Sequence, residues 1–272
     1  MKTKNFDKMI PALSLPLFVF LIIASYFGVF NVNTYSKETL TFAVQGIGQD
    51  IVNLFVISPL LLITSFFAYK KSKAGILMWS GVIFYLVYSY VIYCFSMHFN
   101  FLFLVYCFIL GLSFYSFVYF IISQINEPII DWYNRNVPIK TTSIFFIIIA
   151  ILFYFLWLSE IIPALIKNEI PKSITDNGTL TNPVHVLDLS IVLPALFITA
   201  IFMLKKKTLG FLFAPSMLMF CILMSLAIIG MVIAMQMKGM KTDWSLAIIF
   251  GFISLISTII LIMFLKNIKN EI

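Results

Sequence analysis

The chain has 272 residues, 62% of them hydrophobic and 11% charged, with a net charge of +7 and a mean hydropathy of +1.06. A composition this apolar excludes a water-soluble domain of the same length, which needs far more charge on its surface, and points to an all-α integral membrane protein. The lysines lie in short clusters between apolar runs, as topology signals do, so no nucleic-acid partner is expected.

A spanning helix needs roughly 20 mainly apolar residues, and eight runs qualify: about 9–30, 51–69, 75–97, 101–123, 143–165, 187–204, 209–235 and 245–265. The basic leader MKTKNFDK before the first run resembles that of a signal peptide. The run is too long for that and no A-x-A site follows, so a retained helix is expected. The second run follows VQGIGQD, so Asp50 stands at its opening, and Pro59 interrupts it. The tyrosines and serines of the third and fourth runs, Tyr85, Tyr88 and Tyr93 among them, suit a polar cavity, but interfacial belts and small-residue packing explain most of them and no site role is expected. The polar stretch Gln124 to Ser143 reads as a cytoplasmic linker whose Trp132 and Tyr133 suit an interface.

Glu160 sits inside the fifth run, and a carboxylate within a hydrocarbon boundary is a functional-site hypothesis by default. Asp188 opens the sixth run just after TNPVHV, with His185 three residues before it and Pro194 six after. Very short connections at 70–74, 98–100 and 205–208 make the helices they join antiparallel neighbours. With a cytoplasmic N-terminus, 13 of the 18 basic residues fall on the inner side, which places both termini in the cytoplasm of a bacterial plasma membrane.

Sliding the chain by 135 positions lays Pro59 to Leu77 on Pro194 to Leu212 with nine identities in nineteen positions. The proline, Thr64/Thr199, the lysine pairs Lys70/Lys205 and Lys71/Lys206, and Gly75/Gly210 matter most, because they mark a helix break, a helix end and the next start. The expected architecture is therefore a bundle of eight transmembrane helices in two parallel four-helix repeats: residues 1–123, a linker at 124–142, and 143–272. In this scheme Asp50 and Asp188 are counterparts at the outer ends of equivalent helices, where either caps its helix or lines a site.

The candidate binding or proton-carrying residues are Glu160, Asp188, Asp50 and His185, with Pro59 and Pro194 as helix breaks that free carbonyls near Phe55 and Ser190. His98 and Asp243 also fall toward the outer face. Two distant histidines without HExxH exclude a hydrolase-type zinc site, Cys94, Cys107 and Cys221 lack CxxC spacing, and Walker A, GxSxG and GxGxxG are absent. No metal, cofactor or catalytic residue is expected, and the expected partners are the lipid bilayer and a small solute or cation. The expected function is a transporter or ion- or proton-coupled permease with an acidic site near the outer face. The alternatives are a non-catalytic membrane partner protein, acting as a sensor, immunity or assembly factor, and an intramembrane enzyme on lipid-linked substrates.

Overall fold

The computed structural model describes residues 6–269. Among them the chain is all helical, without strands, and eight helices are long and apolar enough to cross a membrane. We number these α1 (Phe6–Phe30), α2 (Leu40–Tyr69), α3 (Lys73–Ser96), α4 (Phe103–Gln124), α5 (Ile139–Lys167), α6 (Pro183–Leu204), α7 (Thr208–Met237) and α8 (Trp244–Lys266). A short helix, Lys172–Asn177, lies in the loop between α5 and α6.

Side chains supply the helix starts where the backbone runs out of acceptors. Thr39 caps α2 by accepting from Phe42 N–H, Ser72 caps α3 through Gly75 N–H, and Asp243 caps α8 through Ser245 N–H. At α6, Asn182 accepts from Val184 and His185 N–H while Pro183 occupies the first turn, where its missing N–H costs nothing.

Helix α2 starts eleven residues before the expected start at 51, and α6 four before 187. Hydropathy fades over TFAVQGIGQD, yet this stretch is helical because it packs on α7, with Gly48 against the backbone of Gly230 and Met231. Neither Asp50 nor Asp188 therefore caps a helix start: each is buried inside its helix, Asp50 fully.

Pro59 and Pro194 do not break their helices either. Each follows a turn of wider π type, Asn53–Ile57 and Asp188–Val192, in which Ser58 N–H reaches back to Asn53 O and Leu193 N–H to Asp188 O. The additional residue in such a turn gives the proline ring room without ending the helix. The two π-turns stand 135 residues apart. So do the left-handed lysines Lys71 (φ 65°) and Lys206 (φ 52°) that close α2 and α6. The same separation relates Gly75, pressed against the backbone of Phe67 and Ala68, to Gly210, pressed against Phe202 and Met203.

Helices α3 and α7 form the centre, with 83% and 56% of their most apolar stretches enclosed, against 28% for α4 and 22% for α5. They cross at Gly81, where a Cβ would meet the Ser216 carbonyl and Met219, and the Ser80 and Ser216 hydroxyls bond at 2.5 Å. Around them α1 packs on α2 and α4, and α5 on α6. The loops sort into two ends. At one, Lys37 Nζ donates to Phe99 O, His98 Nδ1 meets the Glu38 carboxylate at 2.9 Å, and Thr39 Oγ1 donates to Asp176 O. At the other, the 124–142 stretch is part of the packed structure: Ile129, Trp132, Tyr133 and Val137 are buried, and Lys269 N–H donates to Trp132 O.

Candidate functional site

The sequence-nominated residues separate into two clusters. The first surrounds Asp50 in the first half of the chain. Its Oδ1 accepts from Tyr93 of α3 at 3.0 Å, and its Oδ2 from Tyr35, which the 31–39 loop carries inward. Gly28 of α1 makes the room: a Cβ there would fall 1.7 Å from Asp50 Oδ2. One turn on, Asn53 Oδ1 accepts from Tyr85 at 2.8 Å. Burial in this setting holds the Tyr35 hydroxyl well above its ordinary pKa, with the Asp50 carboxyl adding to the effect.

The second cluster surrounds Asp188, which begins the π-turn of α6. Its Oδ1 accepts from Tyr88 of α3 at 3.0 Å and its Oδ2 from the Trp157 indole N–H of α5 at 2.9 Å. Three helices thus meet on one buried carboxyl group, and the widened turn sets its backbone out of the regular helical register. π-turns of this kind are found preferentially at functional sites.

Asp188 lines a cavity of about 280 Å³. Most of its lining is apolar, Ile149, Leu193, Leu196 and Phe220 included, and Asn177 at the end of the loop helix and Asn182 at the start of α6 add polar groups. The cavity has a structural cause. In the first half α1 packs along α4, closing that bundle. In the second half α5 and α8 meet through the Phe153 and Phe250 rings, 5.7 Å apart, and the space enclosed by α5, α6, α7 and α8 stays open.

Glu160 does not line this cavity. It is half-buried near the end of α5 and accepts the Ser173 N–H of the loop helix at 3.0 Å, which ties the 168–182 loop down. His185 shares a helix with Asp188 but points elsewhere: its Nε2 is 3.6 Å from Glu160 Oε2 and its ring lies 4.6 Å from that of Trp157. Glu160, His185, Trp157 and Asp188 therefore form a contiguous chain, while Asp50 is held by its own tyrosines. The three carboxylates do not share one site.

Two features escaped sequence reading. Belts and small-residue packing explain most tyrosines from sequence, yet Tyr85, Tyr88 and Tyr93 of α3 each bond to a polar side chain of a π-turn helix. Their burial was the deciding information, and hydropathy does not carry it. The offset of 135 also pairs Asp50 with His185 and Asn53 with Asp188, whereas comparing Asp50 with Asp188 left a three-residue mismatch; the coincident π-turns account for it.

Among the described residues no group of three His, Cys, Asp or Glu side chains is arranged to hold a metal ion. Compared with known proteins, the chain matches no family model, no curated protein and no solved structure.

Proposed function

We propose that the chain is a polytopic membrane protein of two parallel four-helix repeats that moves a small solute across the bilayer, coupled to an ion or a proton, with Asp188 at its binding site. The observation that carries this reading is the cavity of about 280 Å³ lined by a buried carboxylate on a π-turn. Intramembrane acids are costly and persist where they hold a proton or a cation. The π-turns, left-handed lysines and tight glycines that recur at one offset of 135 residues support the duplication. The lysine distribution orients the Trp132 end and both termini toward the cytoplasm of a bacterial cell, so the side at Asn177 and Asn182 faces out.

The test is reconstitution of the full chain in vesicles carrying an internal pH dye, with solute gradients and membrane potential imposed in turn. The expected result is solute-dependent proton or charge movement that Asp188→Asn removes. Silent vesicles, or an Asp188→Asn variant equal to the wild type, would exclude the reading.

A second reading is favoured by one observation. Leu165, Ile166, Ile170 and Leu180, at and after the end of α5, are 68–100% exposed around the loop helix. Such a surface suits a non-catalytic role through a protein partner at the outer face. A stoichiometric partner that stays with the chain after mild solubilisation and is lost in Leu180→Asp would support it.

A further inference from the structure

Resting on the reading that the Asp188 cavity is the solute site, we infer that its ligand is a small organic cation of ammonium type, the charged group against Asp188 and an apolar body in the cavity. The electrostatics set the sign. Asp188 is the one carboxylate on the cavity wall, and no lysine, arginine or histidine lines it among the described residues. A neutral ligand leaves a buried acid without a counter-charge, and an anionic one adds a like charge in a medium of low dielectric constant.

The hydrogen bonds around the acid suit an ionised carboxylate. An indole N–H only donates, so Asp188 Oδ2 is held as an acceptor by Trp157. Oδ1 accepts from the Tyr88 hydroxyl at 3.0 Å, so each oxygen has one donor from the protein. One donor per oxygen leaves acceptor capacity on both for a cation.

The rest of the wall suits the body of such a ligand. Phe153, Trp157, Phe220 and Phe250 bring aromatic rings to the cavity, whose faces attract an ammonium group, and α7 adds the apolar Ile228 and the adaptable thioether of Met224. A single carboxylate with thioether and aromatic neighbours is a poor site for Mg²⁺ or Ca²⁺, which need several hard oxygen ligands. A volume of about 280 Å³ sits near the low end of small-molecule sites and holds about nine waters' worth of liquid, so the ligand has on the order of ten non-hydrogen atoms.

The experiment is isothermal titration calorimetry on the full chain in detergent, with three benzyl compounds of different charge as probes: benzyltrimethylammonium, benzyl alcohol and phenylacetate. The expected result is saturable binding of the ammonium, at least roughly tenfold weaker binding of the alcohol, and none of phenylacetate. Asp188→Asn should weaken the ammonium at least roughly tenfold while leaving the alcohol unchanged, a readout that mere misfolding would not produce. Met224→Trp, which narrows the cavity and keeps the acid, should weaken binding of both.

Equal affinity for ammonium and alcohol, no saturable ammonium binding up to roughly 10 mM, or wild-type ammonium binding in both variants would overturn the inference. Ammonium binding without flux in the vesicle assay would remove the transport reading and leave this inference standing. Flux of a neutral or anionic solute with no ammonium binding would do the reverse.

Discussion

Replacing Gly48 by alanine probes the joint at which the N-terminal half of α2 lies on α7. A Cβ at Gly48 would stand 2.6 Å from the Gly230 carbonyl oxygen, 2.6 Å from Met231 Cα and 2.8 Å from Met231 N. All three are backbone atoms, so no rotamer change relieves the contact. The helices must separate by about 1 Å to reach ordinary van der Waals distance. Overpacking of this kind costs about 1–3 kcal/mol, and the better helix propensity of alanine offsets up to about 1 kcal/mol. The expected net loss is about 1–2 kcal/mol, measured as a shift of the unfolding midpoint when SDS is titrated into mixed micelles and helicity is followed by circular dichroism. Met231 and Val232 line the cavity, so the separation should also weaken ammonium binding. Gly111→Ala in α4 is the control, because nothing lies within 4 Å of a Cβ there, and it should be neutral or stabilising by up to about 1 kcal/mol. A Gly48→Ala protein as stable as the wild type would refute the argument that this joint is closed backbone to backbone.

Tyr93→Phe removes the donor to Asp50 Oδ1, and a hydrogen bond to a buried carboxyl group should cost about 1.5–3 kcal/mol in the same unfolding assay. Adding Tyr35→Phe should cost less than the sum of the two single changes, since both act on one carboxyl group; strict additivity would argue against a shared cluster. Glu160→Gln keeps an acceptor for the Ser173 N–H and should change stability by no more than about 0.5 kcal/mol, with ammonium affinity unaltered, whereas Glu160→Ala should speed proteolysis of the 168–182 loop. If Glu160→Gln abolishes binding, the acid belongs to the site after all. At the start of α8, hydrogen bonds from Ser245 hold the exposed Asp243 carboxyl below its ordinary pKa. A depressed folded pKa stabilises above the unfolded value and is lost as pH falls through the folded one. Hydrogen exchange at Ser245 and Leu246 should therefore quicken, relative to the rest of α8, below about pH 4, and an acid-insensitive ratio would count against the cap.

Membrane character, eight long apolar helices, their neighbours across the short connections and the offset of 135 are all legible in the amino-acid sequence. Each depends on composition or on local order along one chain. The place of Glu160 inside an apolar run points to a site, but its position near the end of α5 puts it within reach of the loop helix and outside the cavity. In the sequence Asp50 and Asp188 open apolar runs, whereas in the structure they are buried groups inside helices that begin earlier. Hydropathy ends a helix where apolar residues end. The packing of Gly48 on Gly230 carries α2 through a polar, glycine-containing stretch that no single-helix signal would extend.

What only the tertiary structure decided is which polar groups meet. Tyr88 and Asp188 are 100 residues apart, and Tyr93 and Asp50 are 43 apart, on helices whose apolar content says nothing about their rotation. In helices that are hydrophobic on every side, no amphipathic stripe marks the inner face. Close approach of glycines, burial of hydroxyls and the failure of α5 to close on α8 then settle which residues line a cavity. Sequence determines that this chain places carboxyl groups among apolar helices, and three-dimensional packing determines that Asp188, and not Glu160 or Asp50, lines the cavity.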